Sequence, residues 1–150
     1  MRIFIDADAC PVKDEVYKVA ARYGLKTLVV ANGFIRTPLS PAIEFVMVEA
    51  GPDIADDWIA DQAQPGDIVV TNDIPLADRA LKKQAAAIAP NGRVFTSDSI
   101  GQALAGRAIG EHMRSTGEIT GGPRAFQPAD RSRFLQALDE AVNRERRRRR

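Results

Sequence analysis

Short apolar runs alternate along this chain with amphipathic stretches, and that alternation restricts its fold more than any other feature. Ile3, Phe4 and Ile5 form the first run, LKTLVVA (residues 25–31) the second, FVMV (45–48) the third and IVVT (68–71) the fourth. Each is short and rich in branched or large apolar side chains, as expected of a strand covered on both faces. Between the first two runs, residues 12–23 place Val16, Val19, Ala20 and Tyr23 at helical spacings of three and four, and Gly24 follows as a C-cap. Residues 53–64 (DIADDWIADQAQ) carry Ile54, Ala55, Trp58 and Ile59 on one side, predicting a second helix. A third is expected over 76–87. Ile88, and Val94 with Phe95, read as short extended pieces around the turn Pro90, Asn91, Gly92. Strands alternating with helices at this spacing predict an α/β fold with a central, mostly parallel sheet and right-handed crossovers.

From residue 99 onward the pattern is helical. Residues 100–113 predict a fourth helix and 134–142 a fifth, with Asp130 as the N-cap of the last. The stretch between them, residues 117–130, is rich in glycine and proline and long for a simple connection. Residues 34–42 (FIRTPLSPA) hold two prolines and no period, so a loop is expected, folded over a site or covering a sheet edge.

Composition narrows the chemistry. A chain of 150 residues suits one domain, expected over 1–143. Residues 144–150, six arginines and one glutamate, read as a basic tail, either disordered or continuing the last helix as a charged, fraying end. The whole chain has a formal net charge of +1, so without that tail the body is mildly acidic. Cys10 is the only cysteine and His112 the only histidine, which excludes an internal disulfide, a Cys/His zinc site and a His-based triad. No apolar run approaches the roughly 18 residues of a membrane span, and no signal-peptide pattern opens the chain. A cytoplasmic protein with neither membrane nor disulfide partner is the expectation.

Chemistry is left to the acids. Asp6 and Asp8 follow the first strand, Asp53, Asp56 and Asp57 open the second helix, and Asp73 follows the fourth strand. Carboxyl ends of parallel strands share one edge of the sheet, where ligands of open α/β folds bind. Helices that follow strands start at that edge too. Carboxylates gathered without basic partners repel and raise each other's pKa unless a cation intervenes, and hard ions such as Mg2+ or Mn2+ take oxygen ligands of this kind. Such ions serve phosphodiester hydrolysis by activating water and stabilising the leaving oxygen. Asp6, Asp8, Asp53 and Asp73 are the candidate metal ligands, and Asp6, Asp8, Asp57 and Asp73 the candidate catalytic residues. Asp57 is preferred to Asp56 because Asp53 and Asp56 together resemble a capping box. Each acid also has a purely local reading: Asp6 or Asp73 in a turn, Asp8 or Asp53 as a helix cap. Lys13, Asn72, Arg114 and Arg124 are candidates for meeting a phosphate; Cys10 reads as a small buried side chain and His112 as structural.

DADACPVK at the start, GPDIADDWI, GDIVVTNDIPLA and MRSTGEITGGPRAF occur in order along the chain. With these four motifs it resembles the YaiI/YqxD family of uncharacterised bacterial proteins, from Met1 to about Ala141. That family is similar in turn to the PIN-like nuclease superfamily. The resemblance implies a three-layer α/β/α domain, a helical C-terminal segment and a metal-dependent, ribonuclease-type site. Asp6 matches the acid after the first strand, Asp53 or Asp57 the helix acid and Asp73 the acid after the later strand; Asp8 belongs to the family's own motif. One departure is visible. Superfamily nucleases often carry a further acid just after the later one, whereas Ile74, Pro75, Leu76 and Ala77 separate Asp73 from Asp78. A hydrolase acting on RNA is therefore the leading expectation. Its alternatives are a non-catalytic RNA-binding or adaptor protein that uses the arginine tail, and an aspartate-nucleophile phosphatase that uses Asp6 and Asp8.

Overall fold

A computed structural model describes residues 1–8, 10–102, 104–105 and 125–148. Six strands form one sheet in the order β3-β2-β1-β4-β5-β6. They are β1 (Arg2–Asp6), β2 (Lys26–Ala31), β3 (Ile43–Met47), β4 (Ile68–Val70), β5 (Ala86–Ile88) and β6 (Val94–Phe95). All neighbours are parallel except β5 and β6, which are antiparallel. The helices are α1 (Lys13–Tyr23), α2 (Ile54–Gln62), α3 (Ile74–Lys82) and α4 (Pro128–Arg148); residues 97–102 are also helical.

Alternation along β1 sorts its side chains between two apolar layers. Ile3 and Ile5 pack with Val16 and Val19 of α1 and with Phe134, Leu138 and Val142 of α4. Phe4 points the other way, into the layer of Ile59 from α2 and Leu76, Ala77 and Ala80 from α3. Two helical layers thus enclose the sheet, which explains why β1, β2 and β4 are apolar on both faces.

Several boundaries differ from those expected. The third helix stops at Lys82 rather than 87, because Gln84 turns into the left-handed region at φ 64° and residues 86–88 pair with β4 as β5. Alanines have little strand preference of their own, so the open edge of β4 decides. At the C-terminus α4 runs from Pro128 through Arg148, well past both ends of the expected 134–142. Residues 144–148 continue this helix, the second of the two readings of the basic tail. Asp130 lies inside the first turn and reaches back to accept a hydrogen bond from the Gln127 amide at 2.9 Å, so it serves the cap without being the N-cap residue. The proline-bearing loop after β2 lies at the sheet edge: the Phe34 ring meets Phe45 of the edge strand β3, with centroids 6.0 Å apart. Most of the expected fourth helix and all of 117–124 lie outside the described residues. No helix among the described residues is long and apolar enough to cross a membrane.

Candidate acidic site at the sheet's carboxyl edge

The strand order reverses between β1 and β4, and at such a point the connections leave to opposite sides and open a crevice. Asp6 ends β1 there, and Thr71 directly follows β4. Both share the parity of Phe4 and Val69, so they face the layer of α2 and α3.

A chain of hydrogen bonds joins the acids. The Thr71 hydroxyl donates to Asp6 Oδ2 at 2.8 Å and accepts from the Asp73 amide at 2.9 Å. Asp73 then caps α3, its Oδ1 accepting from the Leu76 amide at 2.8 Å, with Pro75 in the first turn. The cap occupies one carboxylate oxygen, and Asp73 also shares a side-chain hydrogen bond with Asp56 of α2. Burial pushes the Asp6 carboxyl above its usual range; the Thr71 bond opposes this, while Asp73 and Asp8 add to it. Asp56 is pushed up to about 6, first by burial and then by the charges of Asp73 and Asp6. Asp6, Asp56 and Asp73 are therefore brought together.

Asp56 takes the place expected for Asp57. The buried face of α2 carries Ile59 and Ala60 and continues to Ala63, and Asp56 precedes these by three, four and seven residues. Asp57 falls outside this stripe, and Arg79 Nη1 of α3 holds its Oδ1 at 2.7 Å in an exposed ion pair. The capping box that favoured Asp57 does not form. Asp53 is the N-cap residue, yet its backbone is left-handed at φ 65° and its side chain caps nothing. Asp53, Asp56, Asp57, Asp73 and Arg79 nevertheless line one hollow of about 380 Å³. Arg79 was missed in the sequence because a basic residue near a helix C-terminus is an ordinary feature.

The remaining candidates lie apart. Asp8 is exposed and accepts from the Asn32 amide at 3.1 Å, tying the end of β1 to the end of β2; α1 begins after Val12 with no side-chain cap, so Asp8 does not cap it. Lys13 Nζ donates to the Cys10 carbonyl at 2.8 Å. Asn72 is exposed in the turn after β4. Cys10 is buried in the α1 layer, and burial pushes its thiol up, away from nucleophilic chemistry. Arg114, Arg124 and His112 lie outside the described residues.

The donors here are all oxygen, the type that hard divalent ions take. Among the described residues, no three His, Cys, Asp or Glu side chains are grouped closely enough to hold a metal ion as they stand. Mg2+ asks less of a protein than zinc does, since it keeps several waters and binds through one or two carboxylates. The donor set fits such an ion better than an all-protein cage.

Related proteins match nearly the whole chain. A "UPF0178 protein" of Caulobacter sp. (strain K31) is 72% identical over 145 residues, covering 97% of this chain and 96% of the relative. Another, of Caulobacter vibrioides (strain NA1000 / CB15N), is 70% identical over 140 residues, covering 93% and 92%. The "UPF0178 protein RPA2191" of Rhodopseudomonas palustris (strain ATCC BAA-98 / CGA009) is 64% identical over 148 residues, covering 99% and 94%. No solved structure is a significant match. The model of the uncharacterised YaiI/YqxD family matches residues 4–144, and the chain belongs to that family.

Proposed function

We propose that this protein is a PIN-like, divalent-metal-dependent nuclease that hydrolyses RNA phosphodiesters at the acidic crevice. The observation that carries the reading is the linked set Asp6–Thr71–Asp73, with Asp56 against it, at the reversal point of the sheet. Three carboxyls share this crevice, and Arg79, which lines the same hollow, is engaged by Asp57. Holding like charges together is costly, and a cation is the economical way to offset it.

Asp6 and Asp73 would hold Mg2+ or Mn2+, and Asp56 would complete the donors once ionised. Bound there, the ion would supply positive charge for the phosphate and acidify a water. Thr71 fixes the orientation of the Asp6 carboxylate, and its amide is itself fixed by the Ile88 carbonyl at 3.0 Å. Asp73 is held twice, through its own amide and through its cap on α3. Asp8 and Asp53 lie further out, where they would act through water. Arg79, at the rim, would meet a phosphate oxygen by exchanging its bond to Asp57.

The test is incubation of labelled single-stranded RNA with the protein in Mg2+, Mn2+ or EDTA, alongside Asp6→Asn and Asp73→Asn purified identically. Cleavage that needs metal and disappears in both variants supports the reading. Cleavage that persists unchanged in both defeats it. A second reading is a non-catalytic RNA-binding adaptor, which the exposed arginines at the end of α4 favour; in it both variants bind RNA like the native protein and nothing is cut.

A further inference from the structure

We propose that the arginine-bearing end of α4 is a binding surface for single-stranded nucleic acid, placed at the sheet edge opposite the acidic crevice. The position follows from the contacts along α4. Near its start, Arg131 Nη1 donates to the Pro11 carbonyl at 2.9 Å and meets Glu15 at 3.0 Å, at the beginning of α1 on the carboxyl edge. Near its end, the Arg146 guanidinium lies 5.1 Å over the ring of Tyr23, the last residue of α1. There Arg144 and Arg148 border a hollow of about 320 Å³ with Gln84 and Ala86, at the start of β5. A helix of 21 residues is about 30 Å long, so the two ends of α4 mark two edges of the molecule.

The charge at this end exceeds what the helix itself needs. Basic residues in a last turn interact favourably with the helix dipole, by about 0.3–1 kcal/mol each. Arg144, Arg146, Arg147 and Arg148 are all exposed, with one acid among them, the buried Glu145 paired to Arg148 at 3.1 Å. Arg144 stands three and four residues from Arg147 and Arg148, spacings at which like charges repel. A polyanion removes that repulsion. Guanidinium forks match phosphate oxygens, and stacking on Tyr23 holds one of them in place beforehand. A membrane surface is the poorer partner, because Phe134, Leu138, Ala141 and Val142 are consumed in the core and α4 offers no apolar face to a bilayer.

The inference holds whether or not the crevice cleaves anything. At a stacked rise of about 3.4 Å per nucleotide, a strand anchored here needs about nine nucleotides to run the length of α4. The experiment is fluorescence anisotropy of a labelled 24-nucleotide oligouridine in EDTA, where the acidic crevice repels phosphate and the arginine end attracts it. Four phosphate contacts predict a slope of log K against log salt of about −3, so that affinity falls about 50-fold from 50 to 200 mM salt. The double variant Arg144→Gln/Arg147→Gln leaves the Arg146 and Arg148 contacts in place, and its unchanged melting temperature verifies folding. It should halve the slope and weaken binding at 50 mM at least about tenfold. Absence of RNA binding by the native protein, equal binding by the folded double variant, or binding to phosphatidylserine vesicles without RNA binding would each overturn the proposal.

Discussion

Replacing Asp56 with Asn should make the metal-free protein more stable, and the size of the gain follows from the crevice. The Asp56 carboxyl is pushed from 3.8 up to about 6 by burial and by the charges of Asp73 and Asp6. At about 1.4 kcal/mol per pH unit, ionising it in the native state costs at most about 3 kcal/mol more than in the unfolded chain. Asp56 is only partly buried, and solvent screening leaves about 1 kcal/mol. The sign is definite. Between about pH 4 and 6 the native state holds this proton more often than the unfolded chain does, so its contribution to stability declines as pH rises through that window. Above it the cost is constant. Asparagine keeps the shape and one hydrogen-bond donor and removes the charge. Thermal unfolding in EDTA at pH 7.5 should therefore show Asp56→Asn melting about 2–4 °C above the native chain, with the advantage gone by pH 4. Adding millimolar Mg2+ should raise the native protein more than the variant. A variant that is less stable at pH 7.5, or equally displaced at both pH values, would refute the electrostatic reasoning.

Three further substitutions probe the same framework. Thr71→Val removes the hydroxyl that links Asp6 to the Asp73 amide and should cost about 1–3 kcal/mol in urea unfolding, because both partners lose their bond in a part-buried site; no loss would show that the link is idle. Asp53→Gly should stabilise by about 0.5–1 kcal/mol, since its φ of 65° strains an L-residue and its side chain caps nothing; destabilisation in the same assay would reveal an unseen role for the carboxylate. Gly92→Ala should cost more than about 2 kcal/mol, because φ is 91° and a Cβ there would lie 2.7 Å from the Arg133 backbone, whereas a change within about 0.5 kcal/mol would mean that the turn and the start of α4 are not held together.

Where local pattern and tertiary demand agreed, the fold was legible. The apolar runs that became β1 and β2 are buried on both faces, and Gly24 ends α1 at φ 67° as a C-cap glycine does. The pattern misled where two structures compete for the same residues. Ala86 and Ala87 continue a helical pattern equally well, and only the open edge of β4 recruits them into β5. Similarly, the heavily charged end of α4 reads equally as a disordered tail or a fraying helix end until Tyr23 and Glu145 are seen to hold Arg146 and Arg148.

At the site, the gathering of acids on one edge followed from strand direction alone. Choosing among Asp53, Asp56 and Asp57 required knowing which face of α2 is buried. Ile59, Ala60 and Ala63 define that face in the sequence, but the capping-box pattern gave Asp56 a competing assignment, and Asp53 then adopted a backbone that cannot complete the box. Thr71 illustrates the opposite case. A threonine ending a strand has ordinary local reasons to be there, and its link to Asp6, 65 residues away, exists only once β1 and β4 are neighbours.

Calorimetric titration with Mn2+ decides whether Asp6 and Asp73 form one cation site. The native protein should bind Mn2+ saturably, and both Asp6→Asn and Asp73→Asn, each verified as folded by its melting curve, should lose that binding. No binding at millimolar Mn2+, or binding that both variants retain, would contradict such a site and leave the carboxylates as caps and hydrogen-bond acceptors alone.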